Sequence, residues 1–341
     1  MQRTEIAAYG EFGLIKHLTE KFKNENPSTI KGVGDDAAVL DYQNKKVLVT
    51  TDLLLEGIHF DLVYAPLMHL GYKAAVVNFS DIYAMNGQPK QITVSIGVSK
   101  RFSVEDLDQF YAGIQLACEK YGVDLIGGDT SASLTGLAIS ITCIGEGEEG
   151  KIVYRDGAKS TDLICVTGDL GSAYMGLQLL EREKIVFSGG AEVQPDFEGK
   201  DYILKRQLKP EARQDIVKLL HEKGIVPTAM MDISDGLSSE LMHICSQSKV
   251  GCRIYEDKIP INYQAAVMAE ELNMNIVTAA LNGGEDYELL FTVSLEDYDK
   301  IVAVEGIAIV GHTTKPELGL QLVGREGEEI ELRAQGWNSL S

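Results

Sequence analysis

The sequence predicts a two-domain protein of mixed α/β (α+β) class, and three observations carry that expectation. Its 341 residues exceed the usual span of one domain. Strand-like alternation and helix-like runs are interleaved without a strict strand–helix–strand beat. A polar turn, Glu146-Gly147-Glu148-Glu149-Gly150, separates two such mixtures. The domains are therefore expected at 1–149 and 150–341.

The elements follow in order. Residues 10–23 read as an opening helix with Phe12, Ile15 and Phe22 among its apolar positions. Lys46 to Thr50 reads as a strand. Pro66 suits the first turn of a helix running to about Met85. Ile92, Val94, Ile96 and Val98 alternate, as in a half-buried strand. Ser103 caps a helix to about Tyr121, with Glu105 and Asp106 in its first turn. Strands are expected at 123–126 and 137–144. Beyond the boundary, Leu163–Thr167 reads as a strand, and Gly168-Asp169-Leu170-Gly171 turns into a helix through Leu180. A loose segment spans 188–200. Helices are expected near 210–223, 236–247 and 264–273, and strands near Met230, Arg253, 289–293 and 307–310.

Composition excludes several function classes. Lys and Arg number 31 against 51 Asp and Glu, a net charge of −20, which argues against a nucleic-acid binder. No apolar run approaches the length of a membrane span, and Met1-Gln2-Arg3-Thr4-Glu5 starts no signal peptide, so a cytoplasmic protein is expected. The five cysteines, 118, 143, 165, 245 and 252, lack CxxC spacing and read as buried thiols in a reducing compartment. Asn78-Phe79-Ser80 spells a glycosylation sequon, read here as chance.

Six short runs place an aspartate where an apolar stretch gives out: Gly34-Asp35-Asp36, Thr50-Thr51-Asp52, Asn78-Phe79-Ser80-Asp81, Gly127-Gly128-Asp129-Thr130, Asp232-Ile233-Ser234-Asp235-Gly236 and Gly283-Gly284-Glu285-Asp286. Singly, each reads as a turn former or helix cap. Together they suit a hard cation such as Mg²⁺, which takes oxygen ligands and is often shared between one or two carboxylates and substrate phosphates. The expectation is a metal-dependent phosphoryl-transfer site with these acids at element ends. Gly145 to Gly150 spells GxGxxG, but three glutamates inside the loop would repel phosphate, so it reads as a turn. Gly168-Asp169-Leu170-Gly171-Ser172 could cradle an anion or simply cap a helix.

These runs, with Gly32-Val33-Gly34-Asp35-Asp36-Ala37-Ala38, His59-Phe60, Leu204 to Pro210 and Gly283 to Leu289, resemble the thiamine-monophosphate kinase family. That family belongs to the ATP-binding superfamily of aminoimidazole ribonucleotide synthetase. The resemblance runs nearly end to end and rests on the order and spacing of the motifs. It implies a two-domain aminoimidazole ribonucleotide synthetase-like fold, with an amino-terminal mixed sheet pairing across a homodimer and a carboxy-terminal α/β domain. It implies ATP as co-substrate, several Mg²⁺ ions, and transfer of the γ-phosphoryl of ATP to thiamine monophosphate. Carried over residue by residue, Asp35, Thr50, Thr51, Asp52, Asp81, Asp129, Asp232 and Asp235 would be metal ligands. Tyr111, Gly128, Asp129, Arg155 and Ser234 would contact nucleotide. His59, Glu285 and Trp337 would contact substrate, the indole of Trp337 covering a ring of thiamine. No side chain would serve as a nucleophile, because the acceptor is itself a phosphate oxygen. The rivals are a related synthetase, such as aminoimidazole ribonucleotide synthetase, and a non-catalytic acidic metal- or nucleotide-binding protein. The selenophosphate-forming relative needs an early cysteine, and this chain has none before Cys118.

Overall fold

The fold was determined as a computed structural model describing residues 4, 14, 17–31, 39–188 and 196–334. The chain divides into two compact units, Met1–Tyr83 with Gly87–Gly150, and Ala84–Asn86 with Lys151–Ser341.

The first unit is built on a four-stranded sheet. Its strands are β3 (Lys46–Leu55), β4 (Gln88–Val98), β5 (Asp124–Ala132) and β6 (Leu137–Gly147), in the order β3-β6-β4-β5. Only β4 and β5 pair in parallel, so the sheet is mixed. Period-2 alternation sets its two faces. On one face Ile92, Val94, Ile96, Ile139, Ile141 and Cys143 are all buried. The helix α1 (Leu67–Ala84) lies on that face: a Cβ on Gly145 would come within 2.6 Å of the Ile82 side chain. The second helix, α2 (Val104–Tyr121), begins in a capping box between Ser103 and Asp106, as Glu105 and Asp106 in the first turn anticipate. Two short strands, β1 (Thr29–Lys31) and β2 (Val39–Leu40), form a separate antiparallel ladder. The buried Asp124 carboxylate accepts from the Glu25 and Asn26 N–H groups at 2.9 and 3.1 Å and from the Thr29 hydroxyl at 2.6 Å. Gln91, fully buried, donates to Ser28 and Thr29. The amino-terminal flank of the run 32–38 is thus tied to the sheet, and on the other side the Tyr42 hydroxyl donates to Gln91.

The second unit holds a seven-stranded sheet. Its strands are β7 (Leu163–Thr167), β8 (Ala229–Asp232), β9 (Gly251–Tyr255), β10 (Leu289–Val293), β11 (Ile307–Thr314), β12 (Leu320–Val323) and β13 (Glu329–Glu331). The order is β13-β12-β9-β11-β7-β10-β8, antiparallel except between β12 and β9. Five-residue runs buried at every position, such as β7 and β10, are the central strands. The helices are α3 (Ser172–Ser188), α4 (Asp201–Leu208), α5 (Gln214–Glu222), α6 (Leu237–Ser248), α7 (Tyr263–Glu271), α8 (Ile276–Asn282) and α9 (Tyr298–Val302). One core joins the sheet to α6 through Leu237, Leu241 and Ile244. A second core packs Met175 and Leu179 of α3 against Ile203 of α4 and Met268 of α7.

Several boundaries differ from the sequence expectation. The strands β3 and β5 run on to Leu55 and Ala132 because their partners stay in register that far. The helix expected near 210–223 starts at Gln214, past Pro210. The helices α4 and α8 and the strands β12 and β13 were not expected; each is eight residues or shorter, too short for its periodicity to stand out. The five cysteines are free and buried. The sequon is closed, since Asn78 and Ser80 are wholly buried inside α1. Gly145 and Gly147 lie within β6 and a turn follows, with no helix after it. Among the described residues no helix is long and apolar enough to cross a membrane.

Candidate active site

The first unit brings together Thr50, Asp52 and Asp81. Thr50 and Asp52 lie two apart on β3, paired with Cys143 and Ile141, so both face the side covered by α1. Asp81 occupies the last turn of α1, where the helix dipole disfavours a negative charge. The Thr50 hydroxyl donates to Asp81 Oδ2 at 2.5 Å. Burial, and secondarily the neighbouring Asp81, push the Asp52 carboxyl up to about 6. Two oxygen-rich acids forced together in this way form a site that a cation would relieve.

The acids were expected at element ends, and that expectation is corrected here. Asp52 and Asp129 lie inside extended strands, and Asp81 lies inside a helix. Thr51 points to the opposite face from its two neighbours; its hydroxyl donates to Ile141 O at 3.1 Å and accepts from Thr142 Oγ1 at 3.1 Å. Asp129 is exposed on β5 opposite Ser95 of β4, three strands from β3 in the sheet. Gly128 is required by close packing, since a Cβ there would meet Val94 O at 1.9 Å. His59 is exposed just past β3 and accepts from the Leu55 N–H at Nδ1, 3.0 Å. Tyr111 is buried within α2, edge-on to Phe22 and Phe110. Asp35 and Trp337 lie outside the described residues. Among the described residues no three His, Cys, Asp or Glu side chains form a metal-holding group on their own.

The second unit interlocks two of the acidic runs. Asp232 ends β8, and the loop 233–236 leads into α6. Ile233 N–H donates to Glu288 O at 2.8 Å, Glu285 N–H to Ser234 O at 2.7 Å, and Tyr287 N–H to Ile233 O at 2.9 Å. The buried Glu240 accepts from the Asp235 N–H at 3.0 Å, and burial pushes its carboxyl up to about 8. Burial also raises the Asp235 carboxyl, with Glu285 adding to the rise and His243 opposing it. Arg155 is exposed, and its carbonyl accepts from the Ser248 hydroxyl.

Sequence reasoning missed a buried charge network behind this loop. Asp286, 1% exposed, accepts from the Gly171 and Ala173 N–H groups at 2.8 and 3.4 Å. Its carboxylate therefore occupies the amino end of α3, where an anion cradle was one expectation for 168–172; the run is a helix cap. Arg206 reaches Asp286 at 3.6 Å, Glu288 at 2.8 Å and Asp169 O at 3.0 Å. Arg213 also pairs with Glu288. Gln207 Nε2 donates to Glu285 Oε2 at 2.7 Å. Nothing local marks 286 and 288 as buried, since Glu285 and Tyr287 take positive φ ahead of β10, and their partners lie about 75 to 115 residues away.

Comparison with known proteins identifies this architecture. Residues 34–146 match the amino-terminal domain model of AIR synthase related proteins, and 161–319 match the carboxy-terminal one. The thiamine-monophosphate kinase of Aquifex aeolicus (strain VF5) is 36% identical over 317 residues, 90% of this chain and 96% of that one. The thiamine-monophosphate kinase of Bacillus subtilis (strain 168) is also 36% identical, over 85% of each chain. The solved structure of AaThiL complexed with AMPPCP and TMP superposes with a TM-score of 0.75 at 33% identity, covering 99% of both chains. The chain belongs to the thiamine-monophosphate kinase family of AIR synthase related proteins.

Proposed function

We propose that this protein transfers the γ-phosphoryl group of ATP directly to the phosphate of thiamine monophosphate, giving thiamine diphosphate and ADP. The observation that carries the reading is the Thr50, Asp52 and Asp81 group, two acids and a hydroxyl held together in a chain like AaThiL along its whole length. All its donors are hard oxygens, and the upward push on Asp52 is what a cation would reverse. Asp35, Thr50, Thr51, Asp52, Asp81, Asp129, Asp232 and Asp235 are the residues that would hold Mg²⁺, although the Thr51 side chain faces away from those of Thr50 and Asp52. When bound, the ions offset the charge of the transferring phosphoryl group.

The chain's own residues bind and orient. Two anions must approach in line, and the acceptor oxygen needs no base at neutral pH, so positioning dominates. Gly128, Ser234 and Arg155 serve the nucleotide, with Arg155 supplying a fixed positive charge. His59, Glu285 and Trp337 serve thiamine monophosphate. The exposed apolar residues Val47, Val49, Leu53 and Leu55 on the open face of the edge strand β3 support a homodimer through that sheet. Five buried free thiols suit the cytoplasm.

The test is ADP release from purified protein with ATP and Mg²⁺, with and without thiamine monophosphate. Release dependent on thiamine monophosphate, with thiamine diphosphate as product, is expected. Turnover with formylglycinamidine ribonucleotide instead would move the chain to synthetase chemistry. Binding of ATP without turnover on either acceptor would leave a binding protein.

A further inference from the structure

We propose that the Leu55 main-chain N–H fixes the ring proton of His59 on Nε2, so that His59 meets the acceptor substrate as an N–H donor and reads a lone-pair oxygen or nitrogen on it. This rests on the reading of His59 as a contact of thiamine monophosphate. Three observations carry it.

First, the backbone that carries His59 is tied down. β3 is an edge strand, and the chain turns where it ends. Leu55 O accepts from the Ile58 and His59 N–H groups at 3.1 and 2.9 Å, and Phe60 O accepts from the Gly57 N–H at 2.8 Å. Gly57 takes φ +82°, which glycine adopts at no steric cost. The Glu56 N–H donates to Leu137 O at 3.1 Å, and the Glu56 carboxylate accepts from the Leu137 N–H at 2.8 Å. Phe60 is buried. The turn is therefore stitched to β6 and anchored by an apolar ring.

Second, the imidazole is locked against the same residue. The Leu55 N–H donates to His59 Nδ1 at 3.0 Å, while the His59 N–H donates back to Leu55 O. A main-chain N–H can only donate. Nδ1 therefore offers its lone pair there, and the ring proton sits on Nε2. The bond made by the inner nitrogen decides what the outer one carries.

Third, the outer nitrogen is available. His59 is exposed, and among the described residues no group pairs with its Nε2. A residue that merely closed the edge of β3 would need only an acceptor, as Asn or Asp supplies. The imidazole adds a second, outward donor on a rigid ring. Thiamine monophosphate offers two kinds of acceptor to such a donor, phosphate oxygens and pyrimidine nitrogens.

The experiment pairs His59→Asn, whose amide oxygen can replace Nδ1 but whose side chain stops short of Nε2, with His59→Gln, whose amide nitrogen reaches the place of Nε2. Steady-state kinetics of the full chain is read beside nitrogen-15 NMR of the histidine rings, with His59→Asn identifying the His59 signals among the six histidines. The spectrum is expected to show the His59 proton on Nε2 and to show that nitrogen shifting when thiamine monophosphate is added. The KM for thiamine monophosphate rises about tenfold in His59→Asn, as for loss of one bond to a charged group, and stays within about threefold in His59→Gln. The KM for ATP stays within about twofold in both, since the lost bond is made to the other substrate. Inhibition by thiamine, which lacks the phosphate, locates the acceptor: weakened in His59→Asn, it supports a pyrimidine nitrogen, and unchanged, a phosphate oxygen. A ring proton on Nδ1 overturns the proposal. So do equal rises in the two variants, or a rise in His59→Gln alone, which would leave His59 as a cap on the edge of β3. Unchanged KM values in both variants overturn the reading of His59 as a substrate contact and the proposal with it.

Discussion

Asp52 and Asp81 sit close enough that ionising one hinders the other, and burial deepens the conflict. Residues arranged this way gain little for the fold, and the role proposed for them is to hold a cation for the reaction. Asp81→Asn is therefore expected to lower kcat on the order of a hundredfold or more, as for lost electrostatic stabilisation elsewhere, with the thermal midpoint held or raised. Near-normal turnover in that variant would remove Asp81 from the site. Asp286 makes a different case. Burial outweighs Arg206 and the Gly171 N–H and pushes its carboxyl up to about 7. The folded chain thus holds a proton there that the unfolded chain releases near 4, so this group's contribution to stability falls as pH rises from about 4 to about 7. Asp286→Asn removes that titration while keeping an acceptor. The melting temperature of the wild type minus that of the variant should fall as pH rises from 5 to 7; a constant difference would contradict the assignment.

At the scale of elements, the loops do as much as the helices and strands. The loop after β8 and the run before β10 are zipped by three backbone bonds, and Gly284 packs within that seam. It has φ +70°, and a Cβ would meet Ser234 O at 2.4 Å. Gly284→Ala should destabilise the second unit by about 1–3 kcal/mol, read as an earlier denaturation midpoint, and should raise the KM for thiamine monophosphate through Glu285. A midpoint within error of the wild type would mean the two loops separate easily. The same scale explains what was legible. The capping box at Ser103 and the alternation of 92 to 98 are local signals, and both elements stand as read. The extension of β3 and β5 across their acids was not legible, because a polar residue inside a strand is permitted only by the partner that pairs it.

For the whole molecule, the described residues leave an apolar row exposed on one face of the four-stranded sheet, along its edge strand β3. Val49 and Leu53 are 66% and 56% exposed on an edge strand, where an apolar row invites a second copy. Sedimentation equilibrium should give twice the 37.3 kDa chain mass, and Val49→Glu should shift the population toward the single chain. A monomeric wild type would leave that face for another partner.

The sequence by itself determined the class, most of the longer strands and helices, and the family, because these are written in local periodicity and in ordered motifs. Only the tertiary structure decided that Thr51 turns away from Thr50 and Asp52 and that Asp286 rather than a ligand caps α3. Each of those is a choice between side chains far apart in the chain, and it is made by pleat parity, burial and the geometry of donors, which no single stretch of residues contains.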